Sequence, residues 1–262
     1  MIVEKLQKQY CVTLFAVTLL FLACLGTASA AENPLAMELA SDTIQISTFY
    51  NGTTLEITGS VPADADVVLQ VSGPKHDVHL KEKGKIAGFL WMNKTDVSLE
   101  NTPAVYMVYT PPGPENEFLN PDIGIGYKAL VKEITIQPES EDKAFIFAEY
   151  VKLMEKSGVY AVNENTVHYG GIGDGVKSFA VTLTIPSKMK AGAYSVEAIA
   201  VKSGVAISRV KEDLTLELTG LPATISSLAY GSPLLFGFMA VFIAIATGLL
   251  IGMIFRGGGG AH

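Results

Sequence analysis

Two hydrophobic patterns divide this chain of 262 residues. Between residues 43 and 110, and again between 179 and 218, apolar and polar positions alternate with a period of two. Strands that bury one face show this alternation, and turns rich in glycine, proline and asparagine separate the runs. Residues 234–255 instead form an uninterrupted run without a charge. The patterns therefore predict a mainly β domain followed by one long apolar helix.

A segment with helical periodicity interrupts the strands. The proline- and glycine-rich residues 110–114 end the alternation, and residues 140–156 carry a broad apolar face. Ser140 can cap this helix, and Gly158 can end it. Turns spaced about ten residues apart are typical of sandwiches. We therefore expect an immunoglobulin-like β-sandwich with a helical insertion at about residues 115–175.

The apolar run at residues 234–255 is long enough to cross a membrane. At about 1.5 Å per residue its helix would measure roughly 33 Å, and the hydrocarbon core of a bilayer is about 30 Å thick. Arg256 follows the run directly, which favours a cytoplasmic position for the end of the chain. The expected order is a juxtamembrane linker at 227–233, a transmembrane helix and a cytoplasmic tail at 256–262.

Small residues recur at every fourth position of this helix. They are Ala240, Ala244, Gly248 and Gly252. On a helix they form one shallow stripe, which lets a second helix approach closely, although glycine and alanine are also common in membrane helices generally. The stripe predicts packing against an integral-membrane protein partner or against a second copy of this chain in a homo-oligomer.

The first 30 residues match a secretory signal peptide. Lys5 and Lys8 supply the positive start, residues 11–25 supply the apolar stretch, and residues 28–30 form a small-x-small cleavage site. Cleavage would leave a domain at residues 31–226 outside the cytoplasm.

Both cysteines of the chain, Cys11 and Cys24, lie within the signal segment. The mature domain would contain none, so disulfides, thiol nucleophiles and cysteine metal sites are excluded there. The net charge of the chain is −7, and nearly all its acidic residues fall in this domain. An acidic domain is a poor ligand for nucleic acid or anionic lipid. We therefore predict contact with the bilayer through the helix and no nucleic-acid partner.

One short cluster contains residue types that bind metals. His76, Asp77 and His79 lie together among several lysines, and His168 is a possible further ligand. A catalytic zinc site needs three protein ligands and a water, so this cluster favours a metal-dependent hydrolase as one alternative function. The other interpretation is an exposed, solvated hairpin, and we predict no metal and no cofactor.

A second alternative is a module that binds a small solute. Trp91 is the only tryptophan, and a cleft between the insertion and the sandwich could use Trp91, Tyr127 and His168 as a ligand surface. The glycine-rich residues 170–178 do not make a phosphate loop, because Val176 stands where that motif requires lysine.

Several local sequences also indicate a family. They are Phe89–Asn93 at the end of a predicted strand, Ile185-Pro186, Gly192-x-Tyr194-x-Val196 before a hairpin, Pro233–Gly237 at the start of the apolar helix and Phe255-Arg256 at its end. This arrangement resembles a family of uncharacterised proteobacterial transmembrane proteins over about residues 35–256. The resemblance implies a bacterial inner-membrane protein with a periplasmic domain, and an accessory role beside permeases of the sulfite exporter type. It implies no catalytic residues.

The sequence as a whole favours a non-enzymatic accessory or interaction subunit of a membrane complex. The bulk of the chain is predicted to lie outside the cytoplasm, one helix to cross the membrane, and seven residues to remain inside. A single helix makes no pore, so transport or signalling would need partners within the bilayer.

Overall fold

The computed structural model describes residues 35–86, 89–138 and 143–255. The signal peptide predicted at 1–30 and the tail predicted at 256–262 lie outside these residues, and the structure therefore does not address either segment.

Strands make up most of the described domain, which confirms the mainly β prediction. On the third strand, Leu55, Ile57 and Val61 are buried and Glu56 and Thr58 are exposed, as the alternation predicted. In chain order the strands of the described residues are β1 (Ala36–Leu39), β2 (Thr43–Ile46), β3 (Thr53–Pro62), β4 (Asp66–Ser72), β5 (Lys75–Ile86), β6 (Leu90–Pro103), β7 (Tyr106–Tyr109), β8 (Thr135–Gln137), β9 (Tyr160–Asn163), β10 (Val167–Gly173), β11 (Val176–Ile185), β12 (Gly192–Lys202) and β13 (Val205–Leu218).

The strands form three sheets. The first has the order β1-β3-β11-β10, and all its neighbours are antiparallel. The second has the order β2-β13-β12-β4-β7-β9, in which β2 lies parallel to β13 and β7 lies parallel to β9. The third has the order β5-β6-β8. Because β3 pairs with β11 and β4 pairs with β12, strands from both halves of the chain build the two larger sheets.

Two tyrosine hydroxyls connect the first sheet to the second. The Tyr169 hydroxyl on β10 accepts a hydrogen bond from the Val67 N–H on β4 at 3.0 Å. The Tyr109 hydroxyl on β7 accepts one from the Thr184 N–H on β11 at 3.1 Å. The buried residues of both sheets belong to one apolar core. Since a buried phenol needs a polar partner, these bonds help to fix one sheet relative to the other.

β5 and β6 form a long antiparallel hairpin. The short strand β8 pairs with β6 only at Ser98–Glu100, so along the rest of its described length the hairpin has no third strand. Its distal residues Phe89, Leu90 and Met92 are exposed, Phe89 by 78%. The alternation predicted these strands but not that they form a sheet separate from the two larger sheets.

The helices of the described residues are α1 (Glu115–Phe118), α2 (Tyr127–Glu133), α3 (Lys143–Ser157), α4 (Leu221–Gly231) and α5 (Pro233–Phe255). The helical insertion is shorter than the predicted span of 115–175, because its last helix ends at Ser157. β9 and β10 follow and join the two larger sheets, where Val167 is buried opposite Val181. The predicted cap Ser140 lies outside the described residues.

The helix α5 confirms the predicted apolar span and begins at Pro233. Its 23 residues give a length of about 35 Å, enough to cross the hydrocarbon core. Among the described helices, α5 alone is long and apolar enough to span a membrane. Proline is well tolerated at the first position of a helix, since its missing N–H would have no partner there.

The sequence did not predict α4, which overlaps the expected linker at 227–233. Ser232 alone separates α4 from α5. Its N–H donates to the Leu228 carbonyl at 3.0 Å, and its own carbonyl accepts a hydrogen bond from the Phe236 N–H at 3.1 Å. The chain therefore enters α5 from a helix rather than from an extended linker.

Candidate functional site

A groove with a cavity volume of about 460 Å³ opens at one edge of the second sheet. At this edge β4 ends, and β7, β9 and β12 begin, because β4 runs antiparallel to β7 and β12 while β9 runs parallel to β7. Met154 and Ser157 near the end of α3 form one wall. Pro74, Ala104 and Ala191 complete the apolar walls.

The floor of the groove is apolar and buried. Val105, Val159, Met189 and Tyr194 all line it, and each belongs to the core of the domain. Val105 directly precedes β7, and Val159 directly precedes β9. The start of each strand therefore fixes the position of the valine before it. The floor is thus part of the folded core rather than of a separate surface loop.

The connection between β11 and β12 is held in place by two hydrogen bonds. The Tyr194 hydroxyl donates to the Lys190 carbonyl at 2.7 Å. The Met189 N–H donates to the Pro186 carbonyl at 3.1 Å, which closes a tight turn. Met189 is buried, whereas its neighbours Lys188 and Lys190 are exposed. The buried methionine and the tyrosine bond therefore hold both lysines at the groove.

The rim of the groove is cationic or neutral. Lys188, Lys190 and His76 line it together with Ser157, and no Asp or Glu is among the described residues that do so. Within the described part of the chain, neither lysine forms an ion pair at 4.0 Å or less. This local positive charge contrasts with the net charge of −7 for the whole chain.

Comparison with protein-family models settles the family. A model described as "Putative transmembrane protein" (Alph_Pro_TM) matches residues 34–257, which is most of the chain. The chain belongs to the Alph_Pro_TM family. This match confirms the resemblance inferred from the sequence, and the membrane helix of the described structure agrees with it. Together they indicate a single-pass membrane protein.

Other comparisons add little about function. Among curated proteins, no sequence matches this Alph_Pro_TM chain. A solved family 123 glycoside hydrolase from Clostridium perfringens is 8% identical and covers 72% of this chain, but only 28% of the hydrolase chain is matched. The TM-score of 0.23 is too low to support an argument about fold or activity.

The predicted metal ligands of this family member are not gathered into one site. The Asp77 carboxylate accepts a hydrogen bond from the Asn101 N–H at 3.2 Å, at an irregularity in the pairing of β5 with β6 where Asn101 has a φ of 65°. His79 is exposed on β5 opposite Ser98, and His168 lies on β10 in a different sheet. Among the described residues, no three His, Cys, Asp or Glu side chains lie close enough together to hold a metal ion. Of the predicted ligands, His76 is the one that lines the groove.

The predicted solute surface falls on three different elements. Trp91 lies in β6, where its backbone pairs with Lys85. Tyr127 begins α2, and its ring stacks on the Tyr160 ring with centroids 6.3 Å apart. No hydrogen bond or ring contact joins Tyr127 to His168 within the described residues. The observed groove is lined by other residues, although it does lie between the helical insertion and the second sheet.

Sequence reasoning missed Lys188, Lys190 and Tyr194 as a group. The signal available was the segment Gly192-x-Tyr194 directly after a proline-containing turn, which places a tyrosine at the start of a strand. His76 was considered only as a metal ligand, because the two lysines of the groove lie more than 110 positions further along the chain.

Four tyrosines attach the helical insertion to the second sheet. The rings of Tyr106, Tyr127, Tyr150 and Tyr160 lie with centroids 5.8 to 6.3 Å apart. Burial raises the pKa of Tyr106 to about 12. Burial also raises the pKa of Tyr160, and burial followed by the Glu155 carboxylate raises that of Tyr127. These hydroxyls therefore stay neutral at physiological pH and act as core groups.

Raising the pH above about 10 is expected to destabilise the domain, and Tyr106→Phe should reduce this sensitivity. An unfolded tyrosine has a pKa near 10, so the stability gained from a neutral buried Tyr106 is complete below pH 10. This stability is lost as the pH rises towards 12, and the free energy of unfolding falls by about 3 kcal/mol. Denaturant titrations of the full chain at several pH values would measure this slope. An equal slope in the phenylalanine variant would contradict the assignment.

Proposed function

We propose that this protein is a non-enzymatic interaction subunit, in which one membrane helix tethers the β domain and packs against another membrane protein. The observation that carries the proposal is the free surface of α5. None of the described residues of α5 is buried. A Cβ added at Gly248 or Gly252 would meet nothing within 4 Å in the described chain. The small-residue stripe is therefore available for close helix packing.

The proposal assigns the β domain to the periplasm and the chain to the bacterial inner membrane. Arg256 after the apolar span supports this orientation, because positive residues concentrate on the cytoplasmic side. The predicted signal peptide at 1–30 supports it as well. Among possible partners, a permease of the sulfite exporter type is the one that the family resemblance favours, and a second copy of the chain is the alternative.

The proposal includes an immunoglobulin-like sandwich as the interaction domain. The orders β1-β3-β11-β10 and β2-β13-β12-β4-β7 correspond to strands A-B-E-D and A′-G-F-C-C′ of that fold. The hydrogen bond from Tyr194 at the start of β12 to the Lys190 carbonyl is also consistent with it, since many such domains have a tyrosine corner there. In this correspondence, strand C′ is β7. The hairpin of β5 and β6 precedes it in the chain and the helical insertion follows it, so each interrupts the sandwich on one side of that strand.

The test is the double substitution Ala244→Leu with Gly248→Leu, carried out on the full chain. The larger side chains have room in the isolated helix, so the β domain should keep its melting temperature. Close packing of a second helix should be blocked, and partner recovery from native membranes in mild detergent should fall by about tenfold or more. Mass spectrometry of the purified material and cross-linking in membranes would measure hetero- and self-association.

Ala246→Leu is the matched control. At about 100° per residue, Ala246 lies roughly 200° around the helix from both substituted positions, outside the stripe. This variant should retain its partner. If the double variant keeps its partner, or if the control loses it equally, the helix-packing proposal is wrong.

A further inference from the structure

The groove beside α3 has the size of a small-molecule site. Its cavity volume of about 460 Å³ lies within the range of about 300–1,000 Å³ that is usual for such pockets. At about 30 Å³ per molecule it has room for roughly 15 waters. Val105, Val159 and Met189 give it a buried apolar floor, on which an apolar ligand body would be removed from water.

The charges at the rim of the groove determine which charge a ligand must carry to bind there. Lys188, Lys190 and His76 line the groove, and no carboxylate is among its described lining residues. A cationic solute would find no counter-charge there, and a neutral apolar solute would form no charged hydrogen bond with either ammonium group. Hydrogen bonds between an ammonium and an anionic oxygen are among the stronger ones in proteins. The groove is therefore complementary to a molecule with an apolar body and an anionic head.

We propose that this groove binds a small amphipathic carboxylate. The carboxylate head lies at Lys188 and Lys190 with His76 beside it, and the hydrocarbon body lies along the floor between Val105 and Met189. This inference goes beyond the proposed association through α5, because the groove residues belong to the β domain and its variants leave the membrane helix unchanged. Either proposal can fail while the other holds.

The backbone that carries the two lysines is ordered before any ligand arrives. The Tyr194 hydroxyl holds the Lys190 carbonyl at 2.7 Å, and the buried Met189 side chain anchors the residue between the lysines. A ligand that binds a pre-organised loop loses less free energy to ordering than one that must fold the loop around itself. The tyrosine is thus a positioning residue for the lysines, whose ammonium groups are the ones that contact the carboxylate.

The test is calorimetric titration of the full chain in nanodiscs of zwitterionic lipid, with empty nanodiscs subtracted. The probes are octanoate, its neutral analogue octanamide and the short anion acetate. Octanoate should bind, and octanamide and acetate should each bind about tenfold more weakly or worse, because each lacks one of the two contacts. If either analogue matches octanoate, or if octanoate at millimolar concentration shows no binding above the empty nanodiscs, the proposal is wrong.

Variants then locate the binding site. Lys188→Ala with Lys190→Ala should weaken octanoate binding by about tenfold or more and leave octanamide binding unchanged. Ala191→Trp, at an exposed lining position, should fill the groove and weaken both probes. The matched control Lys128→Ala with Lys132→Ala removes the same charge from exposed positions of α2 and should keep the affinity. Equal losses in the control would show a general charge effect and overturn the assignment.

Discussion

Replacing Gly59 with alanine is expected to lower the free energy of unfolding of the β domain by about 3 kcal/mol. Gly59 lies on β3 between Met37 of β1 and Phe179 of β11. A Cβ at this position would lie 2.5 Å from the Cζ atom of the Phe179 ring and far inside van der Waals contact with the Ala36 carbonyl oxygen. The ring is buried and the carbonyl belongs to the backbone, so neither can move without disturbing the sheet.

The same sheet offers a matched control for this substitution. Gly171 lies on β10, and a Cβ added there would meet nothing within 4 Å of the described chain. Gly171→Ala should therefore change the free energy of unfolding by no more than about 1 kcal/mol, in the stabilising direction if at all. Denaturant unfolding of both full-length variants would measure the difference. Equal stabilities would mean that Phe179 moves aside easily, which would contradict the close packing at Gly59.

Local patterns were sufficient to predict several elements of this fold. Alternation in Leu55, Ile57 and Val61 identified β3, and the charge-free run at residues 234–255 identified α5 to within one residue at its start. Both signals depend on neighbours close in sequence, since a half-buried strand or a membrane helix imposes its period on each stretch separately. The glycine-rich residues 170–178, which the sequence excluded as a phosphate loop, instead form the end of β10 and the start of β11, with Asp174 and Gly175 at the turn and a register shift between Tyr169 and Ile172.

The groove could not be predicted in this way. Its rim joins His76 to Lys188 and Lys190, and its wall joins Ala104 to Met154, so the groove forms only when distant parts of the chain meet. Only the pairing of β4 with β12 and of β7 with β9 brings these segments to one edge of the sheet. A sequence without known pairing holds no signal for such an arrangement. The surface predicted at Trp91, Tyr127 and His168 involves other residues than those that line this groove.

The helix α4 was missed for a different reason. It is short, and the glycine, proline and serine residues in and around it are typical of turns and linkers rather than of a helix. Two of its hydroxyls form hydrogen bonds along the helix: Thr224 donates to the Gly220 carbonyl at 3.0 Å, and Ser227 donates to the Thr224 carbonyl at 3.0 Å. Serine and threonine usually favour caps and turns, but this bonding pattern lets them remain within a helix.

The replacement Tyr160→Ala is expected to lower the free energy of unfolding of the β domain by about 3–5 kcal/mol, the range for truncating a large buried aromatic residue. Tyr160 begins β9 and is only 1% exposed. Its ring contacts Tyr106 of β7, Tyr127 of α2 and Tyr150 of α3 at centroid distances of 6.0, 6.3 and 5.8 Å. Its hydroxyl donates to the Pro103 carbonyl at 2.7 Å. One side chain thus joins both helices to the second sheet.

Two further variants separate the packing of this ring from its hydrogen bond. Tyr160→Phe keeps the ring and loses only the bond to the buried Pro103 carbonyl, so it should cost about 1–3 kcal/mol. Phe145→Ala on α3 removes an aromatic ring that is 65% exposed and should lower the free energy of unfolding by no more than about 0.5 kcal/mol.

Limited proteolysis should cut α3 faster in the alanine variant of Tyr160, because that helix loses its edge-on contact with the sheet. If the alanine and phenylalanine variants are equally stable, the hydrogen bond rather than the ring cluster holds the insertion. Met154 and Ser157 of α3 would then form the wall of the groove without support from the four tyrosines.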